Sequence, residues 1–344
     1  MNIDLDSYDP SGPGMPGSLF GLPFTPETAN LVIIPVPWEV TVSYHSGTAK
    51  GPQAVIDASS QVDLAVRDIP DAWKLGVANL EVPQSLLEES SKLRQWAEQL
   101  VAETGTANPA DPALKKINDA CENLNIYVRS TAQTWMKEGK MVALLGGDHS
   151  TPLGLLRLLS ERYDNFGILQ FDAHMDLRKA YQGFTCSHAS IMYNALKLPS
   201  VSRLVQVGIR DYSDEELDLV RRMQGRVSVW YDEDIRARMY EGETWSSICD
   251  RIIDELPENV YISFDIDSLI PIYCPNTGTP VPGGLDYSQI PYLIKKLVKS
   301  GRKIISFDLN EVSPGETDWD ANVGARLLYT LCNWMAVSQG RLKV

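Results

Sequence analysis

Cysteine and histidine are both scarce in this 344-residue chain, with five copies of one and four of the other. Cys121, Cys186, Cys249, Cys274 and Cys332 are odd in number, widely scattered and never in a CxxC pair. That pattern excludes a disulfide framework and a zinc ribbon, and it predicts a reducing, cytoplasmic setting. Basic residues are also short, with 31 Lys and Arg against 45 Asp and Glu, a net charge of −14. Such a field repels nucleic acid and anionic membranes and favours cationic ligands. No apolar run reaches membrane-spanning length, and Met1 to Thr25 has Asp, Pro and Gly where a signal peptide needs basic and then apolar residues. The sequence therefore predicts no membrane partner and no export. At 44% hydrophobic and 22% charged residues, the chain has the composition of a globular protein long enough to bury a core without disulfides.

The chain reads as an irregular Pro/Gly-rich arm over residues 1–28, lying over the surface and suited to subunit contacts, followed by one domain over 29–344. Asn30–Pro37 is the first strand-like run, and residues 46–62 form a glycine-containing loop opening into a helix. Residues 84–138 carry helical spacing, broken at Gly105–Pro112. Beyond them, strand-like runs at 141–145, 167–171, 204–209, 227–230, 260–267 and 303–308 alternate with helix-like segments at 152–163, 188–197, 213–223, 244–255 and 287–299. Continuous apolar strands alternating with helices predict a parallel α/β sheet covered on both faces.

Ligands of such sheets bind beyond the carboxyl ends of the strands. Three predicted strands run there into Gly146-Gly147-Asp148-His149-Ser150, Asp172-Ala173-His174-Met175-Asp176 and Asp265-Ile266-Asp267. Strand alternation would make Asp172, His174 and Asp176 converge, and Asp265 with Asp267 likewise. Four carboxylates with His149 and His174 in a small space require cations, and an oxygen-rich, thiol-free donor set suits manganese or a similar first-row ion. Each Asp alone would be an ordinary cap or turn former. Two histidines and four aspartates recurring in this alternation make two divalent ions the stronger reading. Gly146-Gly147 lacks the Lys-Ser/Thr of a phosphate loop and is read as a tight turn presenting His149.

GGDHS, DAHMD and SFDID, with NTGTPVPGG at 276–284 and DLNEVSP at 308–314, resemble the ureohydrolases, the arginase and agmatinase family, in order from about Val32 to Leu331. The resemblance implies a three-layer α/β/α sandwich around a mainly parallel eight-stranded sheet, a binuclear-metal hydrolase releasing urea from a guanidino compound, and a homotrimer or homohexamer. It implies His149, Asp172, Asp176 and Asp265 on one metal and His174, Asp172, Asp265 and Asp267 on the other. It further implies Asp176 as proton donor, His188 as proton shuttle and Glu311 as the carboxylate holding the guanidinium. Manganese is the expected metal and nickel the alternative. The aromatics Trp38, Tyr44, Tyr181, Phe184 and Trp319 fall outside core periodicity, and Tyr181, Phe184 and Trp319 are expected to wall the substrate pocket. His45 is expected to be structural or to support the site from outside.

Departures from the family lie in the loops. LRKAYQGFTCSHAS replaces the hydroxyl- and amide-rich arginase segment, which argues against arginine, although Arg178 or Lys179 offers a carboxylate another route. Ala189 replaces a glycine and Ile270 an aspartate of the family pattern. The expected substrate is agmatine-like, with free guanidine and arginine as alternatives. Two other classes compete: a single-zinc amidase or deacetylase, and a non-catalytic assembly protein stabilised by its metals.

Overall fold

The computed structural model describes residues 8–15, 17–102 and 104–344. Among the described residues, eight strands form one sheet: β1 (Leu31–Val36), β2 (Val77–Asn79), β3 (Met141–Gly146), β4 (Phe166–Phe171), β5 (Val201–Ile209), β6 (Val227–Tyr231), β7 (Asn259–Asp265) and β8 (Lys303–Asn310). Their order is β2-β1-β3-β8-β7-β4-β5-β6, and every neighbouring pair is parallel. β1, β3 and β4 are buried along their whole length, so their apolar runs feed two cores at once. On β4, Phe166 and Ile168 face one core while Leu169 and Phe171 face the other.

One core packs the sheet on α1 (Gly51–Ser59), α8 (Trp245–Asp254), α9 (Gln289–Lys299) and α10 (Trp319–Ser338), through Val55, Ile248, Leu293 and Leu328. The opposite core packs it on α2 (Gln84–Val101), α3 (Pro112–Lys137), α4 (Leu153–Arg162) and α5 (Ile191–Ala195), through Leu93, Ile117, Leu155 and Ile191. The helices α6 (Asp214–Arg222) and α7 (Asp232–Tyr240) flank β6 in sequence. This is the three-layer α/β/α arrangement expected from the sequence.

Several elements differ from expectation. The strand expected to run to 267 stops at Asp265, where the Asp265 carboxylate accepts from the Asp267 amide (2.8 Å) and turns the chain into a 3-10 turn, Ile266–Ser268. The helix expected over 188–197 is a 3-10 turn, His188–Ser190, followed by α5. The edge strand β2 and the helices α7 and α10 were not anticipated. Fourteen of the 20 residues of α10 are buried, so it lacks the polar face that makes a helical period legible.

Residues 1–7 of the expected arm lie outside the described residues. Farther along it, Leu19, Phe20 and Leu22 are buried in the core rather than laid over the surface. The Phe20 amide donates to Ser59 Oγ (2.8 Å), and its ring sits 4.8 Å from that of Tyr329. Among the described residues no helix is long and apolar enough to cross a membrane.

The strands β3, β8, β7 and β4 are consecutive in the middle of the sheet. The connection from β3 to β4 passes over the places of β8 and β7, and such crossings open a crevice at the carboxyl ends.

Candidate active site

The expected ligand residues of the three motifs gather in that crevice. His149 follows β3, Asp172, His174 and Asp176 follow β4, Asp265 ends β7 with Asp267 in the turn after it, and Glu311 follows β8. The side chains are aimed by short local hydrogen bonds. Asp172 Oδ1 accepts from the His174 amide (2.7 Å), and Asp267 Oδ1 accepts from the Ala173 amide (3.0 Å). These turns leave Asp172 Oδ2 3.0 Å from His149 Nδ1, and Asp267 Oδ2 3.0 Å from His174 Nδ1. Asp176 joins them from a loop rather than a strand: its φ is +54°, and its carbonyl accepts from the amides of Met192 and Tyr193 at the start of α5. Convergence therefore comes from Asx turns and one left-handed residue, where strand alternation was expected.

Two overlapping triads result, His149–Asp172–Asp265 and Asp172–His174–Asp267, each with ligand atoms within 4.8 Å of one another. Asp176 Oδ2 lies 3.0 Å and Asp265 Oδ2 3.5 Å from His149 Nδ1. The Ser263 hydroxyl donates to Asp308 Oδ1 (3.1 Å), so its oxygen accepts from Nε2 of His149 (2.9 Å). A neutral His149 then points the Nδ1 lone pair at three carboxylates, and Nδ1 is buried without a hydrogen-bond partner among the described residues. Such an arrangement requires a cation between the groups. Oxygen and imidazole donors without thiol fit divalent metal ions.

The charges agree. Burial, and then Asp172, push the Asp176 carboxyl up to about 7. Burial, and then Asp267 and Asp172, push Asp265 well above the carboxylate range. Burial opposes charge on His149, yet Asp172 and Asp176 hold it well above the usual imidazole value. Against its burial, His149 and His174 hold Asp172 below the ordinary carboxylate range. With Asp176 and Asp265 favouring the neutral form and the imidazoles favouring the cation, the cluster is short of positive charge.

A cavity of about 130 Å³ opens beside the cluster. Glu311 lines it with a backbone at φ +63°, Oε1 accepting from the His149 amide (2.8 Å) and Oε2 accepting no hydrogen bond among the described residues. Burial, and then Asp148, raise its carboxyl well above the ordinary range. His188 also lines the cavity, 3.3 Å from Ser43 Oγ through Nε2, and desolvation followed by His174 pushes its pKa down to about 3. Tyr181 lines the mouth with its ring edge-on to His188. His45 is exposed against Tyr44 and is not among the cavity-lining residues.

Two expected pocket walls lie elsewhere. Phe184 is 1% exposed and packs in the core shared with α3 and α5. Trp319 begins α10, 46% exposed, over a different surface cavity beside Tyr273 and Tyr287, with its indole NH on the Ile272 carbonyl. Trp38 is also fully buried, and its carbonyl occupies the space a side chain at residue 147 would need, so Gly147 provides close approach rather than a special turn. Arg178, expected as a possible partner of a carboxylate, lines the cavity, whereas Ser43, Asp211, Glu216 and Thr279, and the Ser263–Asp308 support of His149, were missed by the motif reading. Ser263 and Asp308 stand inside SFDID and DLNEVSP, so the signal was present.

The arginase family model matches residues 29–333. The chain belongs to the arginase family. This arginase-family chain is 30% identical over 312 residues to N(1)-aminopropylagmatine ureohydrolase of Thermus thermophilus, covering 90% of the chain and 92% of that protein. It is 32% identical over 204 residues to guanidinobutyrase of Pseudomonas aeruginosa, covering 56% and 60%. The solved structure of agmatine ureohydrolase of Thermoplasma volcanium superposes with a TM-score of 0.71 at 25% identity, covering 93% of this chain and 94% of that one. Family and relatives place it on the agmatinase-like branch, as a hydrolase acting on amidino C–N bonds.

Proposed function

We propose that this chain hydrolyses the guanidino group of a guanidinoalkyl amine, agmatine or its N1-aminopropyl derivative, to urea and the corresponding amine. Two divalent ions would be held by His149, Asp172, Asp176 and Asp265 and by His174, Asp172, Asp265 and Asp267, with manganese the first choice and nickel the alternative. The observation that carries the reading is the junction, beside one cavity, of two overlapping metal-type triads with a desolvated carboxylate, Glu311, that has no cationic partner among the described residues. When bound, the ions supply a nucleophile at neutral pH by ionising water, which a guanidinium carbon needs because its charge is delocalised.

The chain's own residues do the rest. Glu311 Oε2 holds and orients the guanidinium by charge-assisted hydrogen bonds while Oε1 stays fixed on the His149 amide. Asp176, lining the cavity beside His149, carries the proton that the departing amine requires. His188, kept neutral by desolvation, passes protons between the cavity and the Ser43 hydroxyl. Self-assembly as a trimer or hexamer in the cytoplasm completes the reading, supported by the resemblance and the unpaired cysteines.

Arg178 favours a guanidino acid, since it brings a cation to the cavity. It lies 3.6 Å from Glu216, however, which offsets its charge. The test is urea release from agmatine, N1-aminopropylagmatine, 4-guanidinobutanoate, arginine and guanidine, with manganese and then nickel. Agmatine or its aminopropyl derivative should be the best substrate. No urea from any of them, with metal bound, would refute the proposal.

A further inference from the structure

Arg178, Tyr181, Asp211 and Glu216 line the same cavity. Three of these are already committed. Glu216 is 3% exposed, and both its oxygens are in use: Oε1 accepts from the Leu177 amide (3.0 Å), and Oε2 from the amide (2.9 Å) and hydroxyl (2.8 Å) of Ser213, in the capping box of α6. Arg178 stands beside that carboxylate with its guanidinium 4.7 Å over the Tyr181 ring. Asp211 is different, because its carboxylate accepts no hydrogen bond among the described residues and its side chain is 66% exposed at the mouth.

Asp211 is nonetheless firmly mounted. Its amide and that of Arg210 donate to the Ala173 carbonyl (3.0 and 2.8 Å), between the two metal-motif residues Asp172 and His174. The Arg210 guanidinium in turn donates to the carbonyls of Asp267 (2.7 Å) and Val281 (2.9 Å). Asp211 Oδ2 lies 3.8 Å from His174 Nε2, while His174 Nδ1 faces Asp267. One imidazole ring thus separates this carboxylate from the metal cluster.

We infer that Asp211 is the specificity residue for the substrate's tail, an anchor for the first basic nitrogen beyond the guanidino group. The inference rests on the proposed guanidinoalkyl-amine reading. In agmatine and in its N1-aminopropyl derivative that nitrogen lies four carbons from the guanidino group, so one carboxylate serves both, and the longer arm passes into solvent. With the charge of Arg178 set against Glu216, Asp211 leaves the mouth net negative, the sign that an ammonium requires.

The test uses the full-length, manganese-loaded protein, its Asp211→Asn and Asp211→Lys variants, and three probes: agmatine, n-butylguanidine, which lacks the amine, and 4-guanidinobutanoate. In Asp211→Asn the ratio of kcat/KM for agmatine over n-butylguanidine should fall about fivefold, the size expected of a partly exposed ion pair, through KM and with both metal ions retained. Asp211→Lys should lower the ratio further and shift preference towards 4-guanidinobutanoate. An unchanged ratio in both variants, with wild type active on agmatine, overturns this inference alone. Loss of a metal ion from Asp211→Asn overturns it too, assigning Asp211 to the support of His174. No urea from either agmatine or n-butylguanidine with wild type overturns the underlying reading and this inference with it.

Discussion

Asp176 and Glu311 both sit in the left-handed region of the backbone, at φ +54° and +63°. Non-glycine residues there cost about 1–3 kcal/mol each and persist only where surrounding bonds hold them. Here the holders are visible: the Asp176 carbonyl caps α5, and Glu311 donates its amide to Gly147 while its carbonyl accepts from Thr277 Oγ1 (2.8 Å). The spacing of Asp172, His174 and Asp176 was legible in the sequence, but the turn that makes them converge was not, since it depends on a helix terminus contributed by α5. At this scale Glu311→Gln keeps the bond to the His149 amide but loses the charge facing the guanidinium. Its kcat/KM should fall on the order of a hundredfold with two metal ions still bound, and loss of metal instead would make Glu311 a structural acid. Ser263→Ala removes the acceptor that fixes the His149 ring, and metal affinity measured by calorimetry should weaken about tenfold. Unaltered affinity would show that the ring needs no such support.

Among the elements, those that pack a stripe of apolar residues on the core, fully or partly buried, were legible: the expected segments 152–163, 213–223, 244–255 and 287–299 match α4, α6, α8 and α9 within two residues at each end. The helix α10 was illegible because it is buried nearly all round, and α7 because Ile235 and Met239 are its only apolar residues packed on the core, too few to make a stripe. The same distinction separates the expected aromatic walls. Phe184 follows a 3-10 turn whose bends bury it, whereas Tyr181 at the start of that turn reaches the cavity. Phe184→Ala should therefore cost about 3–5 kcal/mol in denaturant unfolding, as a core truncation does. Trp319→Leu should leave KM for agmatine within about twofold, since the side chain lies over another cavity. A large KM change in Trp319→Leu with unchanged stability would return it to the substrate site.

Over the whole molecule, the acid excess has a local use: carboxylates from adjacent strand ends are concentrated where cations must bind. In the metal-free protein the carboxyls of Asp176, Asp265 and Glu311 are raised, as are the imidazoles of His149 and His174. Raised values contribute stability at low pH that is lost as pH climbs through them, about 7 for Asp176. Bound metal replaces the missing positive charge, so the Tm gap between loaded and chelated protein should widen from about pH 5 to about pH 8. A constant or narrowing gap would mean that these groups do not hold the ions. The most direct test of the two-metal hydrolase is urea release from agmatine, followed as manganese is titrated into metal-free protein and counted per chain. Full activity should arrive only as the second ion binds. Full activity at one ion per chain, or no urea with two bound, would rule out a two-metal hydrolase.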